Sequence, residues 1–156
     1  MSCDASTILE ALSAQAAATR DPDELGRAAV RAIGAAFPQA TWVGIYWVEG
    51  HELVLGPYEG PATEHTRIAA GQGVCGTALA TDEDVLVDDV RTLDNYLACS
   101  PTVRSEVVVL IRAHGAIVGQ FDLDADTVGA FSEDDRCVLR AAADGFGGLL
   151  EPPTAS

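Results

Sequence analysis

Lysine is absent from this chain, and basic residues as a whole are scarce. All nine cationic side chains are arginines, against 24 Asp and Glu, so the formal net charge is −15. A surface of this sign repels nucleic-acid phosphates and anionic lipid headgroups, which argues against either as a partner. The same charge permits a cationic ligand or one that carries an ammonium group, although a solvated surface is the simpler explanation of it.

Long apolar runs are also missing. No stretch approaches the roughly 20 apolar residues of a membrane-spanning helix, and the chain does not open on a basic and then apolar targeting segment. We therefore expect a cytoplasmic protein, in which cysteines stay reduced outside a catalytic cycle. The pattern C-x-x-C does not occur and the three histidines are scattered, so the spacing predicts no metal site.

Four cysteines remain, and two of them lie in polar, turn-rich segments where a thiol can reach a substrate. Cys75 follows the run GQGV and begins a predicted helix, where the helix dipole would favour its thiolate; a small space-filling residue is the simpler interpretation. Cys99 lies in DNYLACSPTVRSE, near Arg104, whose charge could hold a thiolate; an incidental loop thiol is the alternative. Residues 71–76 also match G-x-G-x-x-G, but no βαβ unit surrounds them, so they predict a tight turn.

The length favours one domain, which we assign to 1–150, with 151–156 as a disordered tail. A helix is predicted at 5–18, and a second begins at Asp21, which should form a capping box with Glu24. A final helix should begin after Ser132. The predicted strands are 41–48, 53–55, 66–69, 85–87, 106–112 and 116–124, with a short helix at 75–80 and a hairpin turn at His114-Gly115. Successive hairpins imply an α+β fold, a central antiparallel sheet flanked by helices.

Three carboxylates are predicted to meet on the second hairpin. Alternation places Asp122 and Asp124 on one face of their strand, and pairing about the predicted turn brings Glu106 close to them. Mutual repulsion would raise at least one pKa, so the group should face solvent or bind a cation, an ammonium or a shared proton. Three aromatic residues of the first strand could form a wall beside them or pack in the core: Trp42, Tyr46 and Trp47.

Many segments together resemble the GAF-domain free methionine-(R)-sulfoxide reductases. They are TWVGIY, ELVLGPYEG, RIAAGQGVCGTALA, DVLVDDV, YLACSPTVRSEVVV, IVGQFDLDAD and GAFSEDD, and the interval of 24 residues between Cys75 and Cys99 also matches. The resemblance implies a GAF domain, usually dimeric. It also implies reduction of free methionine-(R)-sulfoxide without a bound cofactor, with a thioredoxin-like protein as the external reductant.

The resemblance further implies residue roles. Cys99 would attack the sulfoxide sulfur and leave as a sulfenic acid, which a second thiol resolves as a disulfide. Family members usually carry another cysteine shortly before the Arg-Ile pair of the glycine-rich turn. Here His65 stands there and no cysteine occurs in 51–74, so resolution falls to Cys75 or to an external thiol. The implied substrate residues are Glu106, Asp122 and Asp124 for the ammonium, and Trp42 and Tyr46 for the pocket around the methyl group and sulfur.

A second hypothesis is a non-catalytic GAF module that binds and senses a small molecule. The missing resolving cysteine favours it, as does the frequent use of GAF domains as sensors. Two retained cysteines and three retained carboxylates favour the enzyme, because a bare sensor would not need them all.

Overall fold

The computed structural model describes residues 4–94 and 102–151, which form one six-stranded antiparallel sheet with helices on its faces. The strand order is β3-β2-β1-β6-β5-β4. The elements are α1 (Ser6–Ala16), α2 (Pro22–Ala36), β1 (Trp42–Glu49), β2 (Glu52–Glu59), β3 (Arg67–Ala69), α3 (Gly73–Thr81), β4 (Val85–Val87), β5 (Ser105–Ala113), β6 (Ala116–Ala125) and α4 (Glu133–Leu149). The predicted α+β class is confirmed.

The second hairpin turns where predicted, but its pairing shifts by one residue between Ile111 and Arg112. Strands β5 and β6 pair from Ser105↔Ala125 to Ala113↔Ala116, and they turn at His114 and Gly115, both with positive φ. The first hairpin is longer than predicted, because β2 continues through Gly56 and Pro57 to Glu59 instead of ending at residue 55. All four predicted helix starts are correct to within two residues.

The two predicted helix caps have different outcomes. Ser132 and Asp135 form a reciprocal capping box at the start of α4. Asp21 occupies the cap position of α2, but its side chain makes no capping hydrogen bond, so the predicted box with Glu24 is wrong. Pro22 at the first helical position already removes one N–H group that would need a partner, which lessens the need for a side-chain cap.

Alternation along the central strands separates two apolar clusters. On one face, Phe121 and Leu123 of β6 belong to the larger cluster, which is completed by α1, α2 and α4. The other face carries a smaller cluster that α3 covers. Its buried members are Trp42, Tyr46, Leu53, Ile68, Val74, Cys75, Ala78, Val108 and Leu110.

Helix α3 sits close to the strand and turn that precede it. The N–H of Gly71 donates to the carbonyl of Gly76 at 2.7 Å, and a Cβ on Gly76 would lie 2.4 Å from the carbonyl oxygen of Ala69. The glycines of this run therefore permit a close approach of backbones, as the tight-turn interpretation predicts. Within the parts of the chain that the structure describes, no helix combines the length and apolar character needed to cross a membrane.

Candidate active site

The three predicted carboxylates lie together on the face of the sheet that α3 covers. Glu106 of β5 is directly opposite Asp124 of β6, and Asp122 is one pleat further along, opposite Val108. Their relative exposures are only 4%, 1% and 0% for Glu106, Asp124 and Asp122. The solvent-facing alternative is therefore wrong, and the carboxylates form a buried cluster.

Cys75 is brought to this cluster by α3. It occupies the first turn of the helix, as predicted, and it is 5% exposed. Its Sγ lies 3.8 Å from Oε2 of Glu106. The sulfur and one carboxylate oxygen each from Glu106 and Asp122 are all within 4.8 Å of one another. The sequence predicted neither contact, because the partners are 31 and 47 positions away along the chain.

The charge of the cluster reverses the expectation for Cys75. Burial raises the pKa of the Cys75 thiol well above its usual range, and the negative charges of Asp122, Glu106 and Asp124 raise it further. The positive end of α3 is outweighed because these carboxylates act across a short, water-poor distance. Cys75 is therefore held as a neutral thiol, and the prediction of an activated thiolate at this position is wrong.

Asp122 is itself perturbed. Burial raises the pKa of its carboxyl group, and hydrogen bonds with Glu106 and Cys75 lower it in part. Both of its carboxylate oxygens are buried, and no donor outside this cluster reaches them from the described residues. The site thus concentrates negative charge with little internal compensation, which is the environment that a cationic group would stabilise.

Gln120 is a site residue that the sequence analysis missed. It is fully buried on β6, and its Nε2 donates to the main-chain carbonyl of Cys75 at 3.1 Å. Alternation was a usable signal, since Gln120 has the same parity as Asp122 and Asp124 and therefore the same face. What the sequence could not show is its partner, a backbone oxygen 45 positions away.

The aromatic residues divide between the two faces. Trp42 and Tyr46 are buried on the side of the carboxylates, with ring centroids 6.2 Å apart. The Tyr46 hydroxyl donates to the carbonyl of His65 at 2.9 Å, which ties the loop before β3 to the sheet. Trp47 points the other way, packs against Phe146 and donates to Asp23, so it is not part of this wall.

Space beside the cluster is limited. A cavity of about 10 Å³ opens against Cys75, Glu106 and Asp122, and His65 contributes to its lining. A second, of about 50 Å³, lies against Trp42 and Asp124. A cavity of about 630 Å³ lies between α2 and β2. We do not assign the chemistry to it because its lining contains neither a thiol nor a buried carboxylate.

Cys99 lies outside the described residues, and so does most of its segment. Arg104, which was expected to help hold its thiolate, is described and contacts Asp89, with 3.3 Å between Nη2 and Oδ2. The described part of the site therefore consists of the neutral thiol of Cys75, the buried carboxylates and the two aromatic rings. An arrangement of this kind can bind an ammonium group and offer a thiol for redox chemistry.

A family model described as GAF domain matches residues 19–151. The chain therefore belongs to the GAF-domain family. It is 37% identical to the free methionine-R-sulfoxide reductase of Escherichia coli strain K12 over 99 residues, which are 64% of this chain and 59% of that protein. The chain thus spans about three fifths of the length of that curated relative.

Two solved structures show the same fold. The free methionine-R-sulfoxide reductase of Neisseria meningitidis, in complex with its substrate, is 33% identical with a TM-score of 0.84, covering 92% of this chain and 86% of that chain. The type II free methionine-R-sulfoxide reductase of Thermoplasma acidophilum is 35% identical with a TM-score of 0.77, covering 83% and 94%. The GAF fold predicted from the sequence is confirmed.

Proposed function

We propose that this protein reduces free L-methionine-(R)-sulfoxide to methionine. The observation that carries the proposal is the buried cluster of Glu106, Asp122 and Asp124 against the Cys75 thiol. Its excess negative charge suits the ammonium group of a free amino acid, which a methionine within a peptide chain lacks. The likeness to reductases of this name supports the same activity.

The reaction begins at Cys99. Its thiolate attacks the sulfoxide sulfur, the S–O bond breaks, and the oxygen stays on Cys99 as a sulfenic acid while methionine leaves. Cys75 then attacks this sulfenic sulfur, so that a Cys75–Cys99 disulfide forms and the oxygen departs as water. The two cysteines together supply the two electrons that the sulfoxide gains.

The raised pKa of the Cys75 thiol fits the second step and not the first. A neutral thiol is a poor nucleophile, so Cys75 does not attack the sulfoxide and the Cys99 thiolate reacts first. Glu106 is near enough to accept the Cys75 proton when the sulfenic acid is attacked. Asp122 and Asp124 hold the ammonium, and Trp42 and Tyr46 enclose the methyl group and sulfur.

Return to the starting state needs two electrons from outside. A thioredoxin-like dithiol exchanges with the disulfide and is itself oxidised, so the cycle requires no bound cofactor. A reducing compartment such as the cytoplasm supplies that dithiol. We further propose that the working form is a homodimer, which sedimentation of the purified chain would test.

The activity is tested with the purified chain, the separate R and S epimers of free methionine sulfoxide, and dithiothreitol. Methionine release is expected from the R epimer alone, and N-acetylmethionine sulfoxide, which has no ammonium, should be inert. Cys99→Ser should abolish release. In a separate incubation without dithiothreitol, which would itself reduce a sulfenic acid, Cys75→Ser should release one equivalent and accumulate a sulfenic acid that dimedone traps. Asp88→Asn, which alters an exposed carboxylate, is the matched control.

The result that would overturn the proposal is an absence of methionine with both dithiothreitol and thioredoxin. A sulfoxide recovered intact from the protein, with no thiol consumed, would instead support the sensor hypothesis.

A further inference from the structure

The thiol and two of the carboxylates beside α3 have the composition of a metal-binding site. Sγ of Cys75 and one oxygen each from Glu106 and Asp122 lie within 4.8 Å of one another, and all three residues are buried. They come from α3, β5 and β6, which are distant in sequence. The spacing of cysteines and histidines along the chain therefore could not indicate the group.

Asp122 indicates independently that a ligand belongs at this position. Both of its carboxylate oxygens are buried, and among the described residues only Glu106 and Cys75, members of the same group, offer them hydrogen bonds. Buried polar groups in native proteins are nearly always satisfied by a partner, an ordered water or an ion. The cavity of about 10 Å³ beside Asp122 has room for one such small species.

The spacing of the ligand atoms suits zinc. Tetrahedral coordination with zinc–sulfur and zinc–oxygen bonds of about 2.0–2.3 Å places neighbouring ligand atoms about 3.3–3.7 Å apart. Sγ of Cys75 and Oε2 of Glu106 are already 3.8 Å apart. Magnesium and calcium favour sites made only of oxygen ligands, whereas zinc accepts a thiolate together with carboxylates.

We propose that Cys75, Glu106 and Asp122 bind a zinc ion, with the fourth position open to water. Binding displaces the Cys75 proton to solvent, and the metal then neutralises the thiolate and the carboxylates in its place. Resting on the function proposed above, zinc would compete with the substrate ammonium and withhold the Cys75 thiol. The ion would thus be a reversible inhibitor of methionine release.

The direct test is metal binding by the full chain, without substrate and with its cysteines kept reduced. Zn²⁺ alone is titrated by equilibrium dialysis, and Co²⁺ serves as the spectroscopic probe because thiolate coordination gives a charge-transfer absorption. One equivalent of metal should bind. Cys75→Ser should remove the absorption, and Glu106→Gln and Asp122→Asn should each weaken binding at least tenfold. Cys99→Ser and the exposed-site control Asp88→Asn should bind like the wild type.

Binding that survives in Cys75→Ser, or that requires Cys99 but is indifferent to Glu106→Gln and Asp122→Asn, would overturn the assignment. Thermal melts of every variant separate lost binding from lost folding. Inhibition is measured afterwards, as loss of methionine release on adding Zn²⁺ and recovery on adding EDTA. Because the dialysis needs no catalysis, zinc binding without any reductase activity would refute the proposed function and leave the metal site standing.

Discussion

Replacing Asp122 by asparagine should stabilise the protein while it impairs the site. The carboxyl group is fully buried, its pKa is raised by burial, and Glu106 and Cys75 are close by. The amide of the variant carries no charge, and its N–H groups can donate to the carboxylate of Glu106. A hydrogen bond to a charged group contributes roughly 1.5–3 kcal/mol. Allowing for imperfect geometry, we expect a gain of about 2 kcal/mol near pH 8, which for a chain of this size raises Tm by about 4–8 °C.

The gain should depend on pH with a definite sign. Because the folded-state pKa of Asp122 is raised, its carboxyl group does not destabilise the fold below the unfolded pKa, and the penalty grows as pH rises towards the folded pKa. Urea melts of wild type and Asp122→Asn should therefore differ more at pH 8 than at pH 5. The exposed control Asp88→Asn should change stability by less than about 0.5 kcal/mol at both. A variant less stable than wild type at pH 8, or a gain independent of pH, would refute the claim that this charge is uncompensated.

Three further outcomes follow from the packing around α3 and α4. Burial raises the pKa of the Cys75 thiol, so between pH 7.5 and 9.5 the free energy of unfolding of wild type should fall by about 1.4 kcal/mol more than that of Cys75→Ser, measured by urea melts. The same pH dependence of stability in both proteins would show that the thiol ionises freely. Gly76→Ala should lower the free energy of unfolding by about 2 kcal/mol, because its Cβ would meet a backbone oxygen. Gly148→Ala, at a helical position with open space around it, should raise that free energy by about 0.5–1 kcal/mol. Equal effects of the two substitutions would contradict the packing argument. Gln120→Leu should lower the free energy of unfolding by about 1 kcal/mol and slow disulfide formation at Cys75. The rate is measured by titrating thiols after one equivalent of sulfoxide is added, and an unchanged rate would leave Gln120 a purely structural residue.

The β5–β6 hairpin could be predicted from the sequence because its signals are local. His114 and Gly115 mark the turn, and a two-residue turn fixes the pairing next to it, Ala113 with Ala116 and Arg112 with Ile117. Alternation then assigns Asp122 and Asp124 to one face and Phe121 to the other. The turn alone would place Glu106 opposite Leu123, on the wrong face. A one-residue register shift between Ile111 and Arg112 moves Glu106 opposite Asp124, and the sequence gives no sign of this shift.

The state of Cys75 could not be predicted, because its local and distant surroundings have opposite effects. Its position in the first turn of α3 is visible in the sequence and favours a thiolate. The carboxylates that oppose ionisation come from β5 and β6, and only the folded sheet shows how near they are. Charges that are distant in sequence therefore raise the pKa of the Cys75 thiol, whereas the local pattern predicted that it is lowered.

The length of β2 was underestimated for a related reason. Gly56 and Pro57 usually interrupt strands, so the sequence predicted an early end. In the structure, Gly56 faces the indole of Trp47, and a Cβ there would lie 2.6 Å from its Nε1. The glycine makes room for a side chain on the neighbouring strand, which is a packing relation that composition does not reveal.

The alternation of β6 sets a constraint on how this chain can diverge. Phe121 and Leu123 fill the helical side, while the intervening Asp122 and Asp124 face the thiol. A single inserted or deleted residue within the strand would exchange the two faces. The two aspartates would then enter the apolar core, and Phe121 and Leu123 would occupy the site of the charged ligand. Relatives that keep both the fold and the chemistry should therefore vary in length outside this strand, or inside it only by an even number of residues.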